Sequence, residues 1–215
     1  MSILSEPKSC KIVLLGESGV GKTSIINQYI EESFKEDQET SAGASFSTKK
    51  LYLKNGNQIT LEIWDTAGQE KFRALTQLFY KEASAAILVY DITRRDSFKQ
   101  IQEYWINQVK EKSSNNVIIA IAANKIDLFE REEVEEKIAR EFALKENAIF
   151  MMTSAKNKNG IDELFSSIAN KIFKCTGDDN SEEVVDRIKQ IRAKSIKISN
   201  KNIKESNDLK KKGCC

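Results

Sequence analysis

Apolar and polar positions follow two rhythms along the chain. Short runs rich in β-branched residues, apolar throughout or at every second position, stand at 11–15, 45–53, 58–65, 85–90, 117–123 and 148–152 and predict strands. Between them, 21–31, 69–81, 97–112, 132–145 and 161–174 carry helical spacing; in the last, Ile161, Leu164, Phe165, Ile168 and Ile172 mark one face. The second and third strands are separated only by Lys54-Asn55-Gly56-Asn57, an Asn-Gly hairpin signal. Alternation of strand and helix with a single hairpin predicts an α/β fold: a mostly parallel, helix-covered sheet with one antiparallel edge strand. The longest apolar runs fall far short of the ~20 residues of a membrane span, so they read as buried strands. No internal repeat is visible.

Beyond residue 174 the pattern stops. From Thr176 onward ten Lys/Arg stand against seven Asp/Glu, which gives this segment +3 and leaves −1 on the rest of a chain of net charge +2. Its acids come first, and 187–212 is basic with few large apolar residues, too few to offset the entropy of ordering. Three regions are expected: an N-terminal extension at 1–7, a domain at 8–174 and a disordered tail at 175–215. Composition excludes some chemistry. The chain has no histidine, which removes His-based triads, His-ligated zinc and a His proton shuttle. The four cysteines are Cys10, Cys175, Cys214 and Cys215, and the opening residues are interrupted by Ser5, Glu6 and Pro7 rather than forming a signal peptide. A reducing compartment without disulfides is expected.

The first strand runs into Gly16-Glu17-Ser18-Gly19-Val20-Gly21-Lys22-Thr23 and then a helix, which is the GxxxxGK[ST] phosphate loop in its required strand–loop–helix setting. Gly16 and Gly21 let successive N–H groups converge on an anion, helped by the positive end of the helix. Lys22 reaches toward β- and γ-phosphates and the Thr23 hydroxyl toward Mg²⁺. A glycine-rich turn capping a helix, with Lys22 a mere surface charge, is the blander alternative.

The loop says nucleoside triphosphate; the base is chosen elsewhere. Asn124-Lys125-Ile126-Asp127 ends a buried strand, and a carboxylate there accepts from both N1–H and the exocyclic amine of guanine. Adenine, with no donor at N1, would leave that acid unpaired. Lys125 has the length to cover the ring. Thr153-Ser154-Ala155-Lys156 closes the next strand, at the carboxyl edge where ligands of open α/β sheets collect. The third strand ends in Asp65-Thr66-Ala67-Gly68-Gln69-Glu70. There Asp65 is placed to hold Mg²⁺ through water, Gly68 N–H to approach a γ-phosphate, and Gln69 to orient the attacking water. An acidic helix cap is the alternative for Asp65, and the two readings coexist.

With these motifs the sequence resembles the Ras superfamily, and within it the Rab family, over about residues 8–175. Rab-like segments are Ala44-Ser45-Phe46, Leu61-Glu62-Ile63-Trp64, Gln69-Glu70-Lys71-Phe72-Arg73 and Leu88-Val89-Tyr90-Asp91-Ile92-Thr93; the stretch from Ala44 to Leu51 is similar to the early-endosomal branch. The resemblance implies a P-loop NTPase fold of six strands and five helices, and nucleotide-sensing switches at about 34–46 and 65–81. It extends the nucleotide contacts to Ser24 and to Phe34 against the guanine edge. It also makes Phe46, Trp64 and Phe79 an aromatic patch for effectors, although bottom-up Phe46 and Trp64 read equally well as core.

The family's first switch carries Thr-Ile-Gly; aligning Gly43 puts Ser41 and Ala42 there. Ser41 keeps the hydroxyl for Mg²⁺, while loss of the β-branch and the Ile side chain predicts a less ordered loop. Phe79 replaces a Tyr, and Tyr80-Lys81-Glu82 replaces Tyr-Arg-Gly. Residues 34–46 contain no arginine, so hydrolysis is expected to be slow, on the order of 10⁻⁴–10⁻³ s⁻¹ as known for Ras, until an external arginine accelerates it. Cys214-Cys215 after Lys210-Lys211-Lys212-Gly213 resembles the Rab pattern that takes two geranylgeranyl chains, where one chain would anchor only marginally. The resemblance further implies an exchange factor, an activating protein, a GDP dissociation inhibitor, a prenylation escort protein and effectors, with the protein a monomer on the cytoplasmic face of an endosomal membrane and in a cytosolic pool. Nucleic-acid binding is not expected, because the basic tail lacks interleaved aromatics. The alternative function is a GTP-locked scaffold with impaired hydrolysis.

Overall fold

The computed structural model describes residues 8–38, 43–53, 57–66, 79–113 and 116–175. Six strands form one sheet: β1 Lys8–Leu15, β2 Ser45–Tyr52, β3 Gln58–Asp65, β4 Ala85–Asp91, β5 Ile118–Asn124 and β6 Ile149–Met152. Their spatial order is β2-β3-β1-β4-β5-β6, and every neighbouring pair is parallel except β2–β3. This is the arrangement that the alternation of strands and helices with one hairpin predicts. Residues 54–56 of the hairpin lie outside the described residues; across it Leu53 N–H donates to Asn57 O at 2.9 Å.

Strands β4 and β5 are buried at every position, as parallel strands covered on both faces must be. The helices are α1 Lys22–Glu31, α2 Arg95–Gln100, α3 Ile106–Lys112, α4 Glu136–Lys145 and α5 Ile161–Cys175. One core face joins Ile12, Leu14, Ile87 and Val89 of the sheet to Ile25 and Tyr29 of α1 and Leu164, Phe165 and Ile168 of α5. The other joins Val13, Leu88 and Ile121 to Phe98, Trp105, Val109 and Ala139. The α5 stripe is the one its spacing predicts, extended by Ala169 and Phe173. No helix among the described residues is long and apolar enough to cross a membrane.

Two helical segments differ from their sequence pattern. Residues 97–112 read as one helix, but Ile101–Trp105 forms a π turn between α2 and α3 in which Ile106 N–H bonds Ile101 O. Residues 132–145 read as a helix, but the first four stay outside α4. Ile126–Arg131 forms a 3₁₀ turn, and Glu133 and Val134 then give their N–H groups to Ile92 O at 2.8 and 3.3 Å. A long-range backbone bond outcompetes local helix extension there. Of the segment 69–81, only Phe79 onward is described, with Phe79 and Tyr80 helical. Glu82, in place of the family's customary Gly, stands at φ 71, a left-handed angle that glycine adopts without strain.

The sheet places five carboxyl ends on one side. β1 lies between β3 and β4: after it the chain moves to one side, through β2 and β3, and from β3 it crosses over to β4 on the other side. Loops diverge at that point and open a crevice, the place where α/β sheets bind ligands.

Candidate functional site

The phosphate loop spans 16–21 between β1 and α1. Gly16 has φ 144, and a Cβ there would lie 2.2 Å from Val89 O on the neighbouring strand. Gly21 has φ 95, and its missing Cβ leaves the space that Asn124 Nδ2 approaches to 2.4 Å. Both positions therefore need glycine for conformation and for room. Lys22 is buried, with Nζ donating to Gly16 O at 3.0 Å and Glu17 O at 2.9 Å. Desolvation lowers its pKa from 10.5 to about 8, against the pull of Asp65 and Glu17. Thr23 Oγ1 donates to Asp65 Oδ2 at 2.6 Å, joining the start of α1 to the end of β3. Thr66 Oγ1 donates to Leu14 O at 2.6 Å, tying the end of β3 to β1.

That hydroxyl and that buried carboxylate are hard oxygen donors beside one another. They fit Mg²⁺, which takes one or two carboxylates from the protein and the rest of its shell from phosphates and water. No cluster of three or more His, Cys, Asp or Glu side chains able to enclose a metal occurs among the described residues. An all-protein cage is not what this ion requires.

At the other end of the cleft the side chains hold one another. Asn124 is buried, gives Nδ2 to Val20 O at 2.9 Å and takes Thr153 Oγ1 on Oδ1 at 3.2 Å. One amide thus ties phosphate loop, β5 and β6 together. Lys125, at φ 68, lays its ammonium 2.8 Å from Asp91 Oδ2. Asp91 is buried and also accepts Thr93 N–H and Oγ1 on Oδ1, at 2.9 and 2.7 Å. Asp127 Oδ1 accepts Ser154 Oγ at 2.5 Å, which fixes the carboxylate.

These elements line one cleft of about 270 Å³. Ser18, Gly19, Gly21, Lys22, Thr23 and Ser24 form its phosphate end, while Phe34, Asn124, Lys125, Asp127, Ala155 and Lys156 form its base end. Val20 and Ser154 lie just behind, fully buried, and Gly16 turns the chain into the loop. Ser41, Gly68, Gln69, Cys214 and Cys215 lie outside the described residues. The expected aromatic patch is assembled: Phe46 and Trp64 pair across β2–β3 with centroids 5.0 Å apart, and Trp64 meets Phe79 at 5.5 Å. Phe46 is 51% exposed, so core packing does not account for it. Trp64 is half-buried and packs on the second core face.

Sequence reasoning misses several members of the site. Asp91 had a signal, as the one charged residue closing an otherwise apolar strand. Arg94 had none: its Nη1 bonds Ser18 O at 2.9 Å across 76 residues of sequence. Nor did Trp105, whose Nε1 bonds Glu17 Oε1 at 3.3 Å across 88.

A glycine-hinged phosphate cradle continuous with a fixed carboxylate defines a P-loop domain for a purine nucleoside triphosphate. The chain belongs to the Ras family, whose model matches residues 11–174, and within it to the Rab small GTPases. It is 43% identical over 165 residues to "Ras-related protein Rab-22A" of Homo sapiens, covering 77% of this chain and 84% of the relative. It is 41% identical over 163 residues to "Ras-related protein Rab-30" of Homo sapiens, covering 76% and 79%. It is 40% identical over 163 residues to "GTP-binding protein ypt5" of Schizosaccharomyces pombe, covering 75% and 77%.

Proposed function

We propose that this chain is a Rab-type switch that binds GTP and GDP, hydrolyses GTP slowly and recruits effectors to an endosomal membrane in its GTP form. The observation that carries the reading is the held carboxylate. Asp127, fixed by Ser154 Oγ at 2.5 Å, faces a cleft whose far end is the phosphate loop, and Asn124 braces the two ends against each other. A carboxylate so placed accepts the two donors of guanine and finds none at N1 of adenine.

The loop's N–H groups and the Lys22 ammonium hold the β- and γ-phosphates, while Thr23, Ser41 and, through water, Asp65 are the residues to hold Mg²⁺. When bound there, that ion would neutralise charge on the phosphate oxygens. Gln69 orients the attacking water, and no strong general base is required, because phosphoryl transfer is served by positioning and charge stabilisation. An activating protein supplies the accelerating arginine, and an exchange factor reloads GTP. Loss of the γ-phosphate releases the switch segments and with them the effector surface around Phe46, Trp64 and Phe79. Two geranylgeranyl chains on Cys214 and Cys215 anchor the molecule, a GDP dissociation inhibitor extracts it, and an escort protein presents it for prenylation.

The full chain, purified without added nucleotide and denatured, should release mostly GDP on ion-exchange chromatography. GTP released intact would break the hydrolysis part of the reading. Asp127→Asn should weaken GTP binding roughly 10–100-fold and favour xanthine nucleotides, the lost charge-assisted bonds setting the scale. Unchanged GTP affinity in that variant would overturn the assignment of the base.

A further inference from the structure

The base end of the cleft is crossed by two ion pairs, of whose four members only Lys156 belongs to a motif. Lys156 Nζ lies 3.0 Å from Glu36 Oε1, and Lys158 Nζ lies 2.7 Å from Glu32 Oε1. The acids sit at the end of α1 and in the segment after it, the bases in the loop after β6, 120 and 126 residues away. The pairs flank Phe34 in sequence, and Phe34, Glu36 and Lys156 all line the cleft. One stretch, 32–36, is thus fastened on either side of its aromatic to the loop that carries Ser154 and Ala155.

We infer that the Glu32–Lys158 and Glu36–Lys156 pairs form a strap across the base end of the cleft that sets the dwell time of bound guanine nucleotide, GDP and GTP alike. The inference rests on the guanine-nucleotide binding proposed above. A base held between Phe34 and the loops at 124–127 and 153–156 leaves only when these segments part, and parting them pulls both pairs open. Glu36 opens the first switch, but its pair reaches back to the loop after β6 rather than toward the phosphate end, and Glu32 precedes the switch, so the strap holds both nucleotides alike.

The backbone points the same way. Glu32 and Lys158 have φ of 54 and 68, left-handed angles at which glycine would serve with less strain. The two charged side chains carried at those angles meet each other. Other charges attend the strap without replacing it: Asp162 Oδ2 lies 3.4 Å from Lys158, Lys49 acts on Glu32, and Asp127 acts on Lys156. The hydrogen bond with its partner lowers the pKa of Glu32 and raises those of Lys156 and Lys158. All four side chains are partly in water, from 33% for Lys158 to 79% for Glu36, so each pair contributes modestly and is screened by salt.

The test follows release of fluorescent GDP, and of a fluorescent non-hydrolysable GTP analogue, from the full chain into excess unlabelled nucleotide. Glu32→Gln with Glu36→Gln should speed release of both nucleotides roughly three- to ten-fold. Raising NaCl from about 0.05 to 0.5 M should speed release more in the parent protein than in this variant, whose pairs are already gone. Exchanging the charges, Glu32→Lys with Lys158→Glu, should leave release slower than Glu32→Lys alone. Equal release rates and equal salt response in parent and double variant, both carrying nucleotide, would overturn the strap, as would acceleration confined to the GTP analogue. Failure of the parent chain to take up guanine nucleotide at all would instead overturn the proposed function, and the strap with it.

Discussion

At the phosphate end of the cleft the charge that meets the ligand is buried and its partners are backbone atoms. Lys22 is 6% exposed and holds two carbonyl oxygens, and Gly16 and Gly21 beside it leave no space for a Cβ. At the base end Lys125, Asp127 and Lys156 are partly in water and their partners are side chains: Asp127 with Ser154, Lys125 with the buried Asp91, Lys156 with Glu36. The first end recognises an anion through geometry that side-chain replacement cannot supply. The second recognises a base through side chains that other side chains hold in place. An interaction removed at the phosphate end should therefore cost far more than one removed at the base end.

Replacing Lys22 gives the sharpest test. Lys22→Ala should weaken GDP binding roughly 10²–10³-fold in equilibrium titration, because a desolvated cation facing phosphate has no substitute. A loss under ten-fold would erase the contrast between the two ends. Asn124 serves both ends at once, so Asn124→Ala should lower folding stability by about 1–3 kcal/mol, as two buried hydrogen bonds, to Val20 O and from Thr153 Oγ1, are lost. Chemical denaturation would measure this, and an unchanged midpoint would mean that the ends stand independently.

The smallest effect is in protons. Burial sets Lys22 at about 8 in the nucleotide-free protein, below its usual 10.5, and a bound triphosphate keeps it charged. Binding at pH 8 should therefore take up roughly half a proton, read by calorimetry in buffers of different ionisation enthalpy. The same shift has a folding consequence. Between pH 8 and 10.5 the unfolded chain retains a proton that the folded one has shed, so this group adds stability to the free protein as pH rises through that window. Zero proton uptake at pH 8 would mean that Lys22 is already fully charged in the free protein.

Much of this architecture is legible in the chain because its causes are local. Strand β3 falls where the alternation of Ile59, Leu61 and Ile63 puts it, and α5 where its stripe does. The nucleotide motifs stand where phosphate loops and strand ends must be. The π turn is not legible, since Phe98, Ile101, Trp105 and Val109 keep ordinary helical spacing through it. The delayed start of α4 depends on Ile92 O, a carbonyl some forty residues earlier in the chain. Arg94 on the phosphate loop and the partners of Lys156 and Lys158 are similarly remote. No spacing rule relates residues that only the closed sheet brings together.

The borders of the sheet bear on how the molecule behaves at high concentration. Strand β6 ends one side after only four residues, while β2 ends the other with eight, long enough to invite a foreign strand to add to it. Lys49 and Lys50 stand side by side on β2, and Lys49 turns inward, its ammonium 4.0 Å from the centroid of the Tyr29 ring and bonded to Tyr29 O. An inward-facing lysine beside an outward-facing one penalises stacking of one copy's border on another's, as like charges would be forced together. Two neighbouring lysines thus guard the longer border against aggregation.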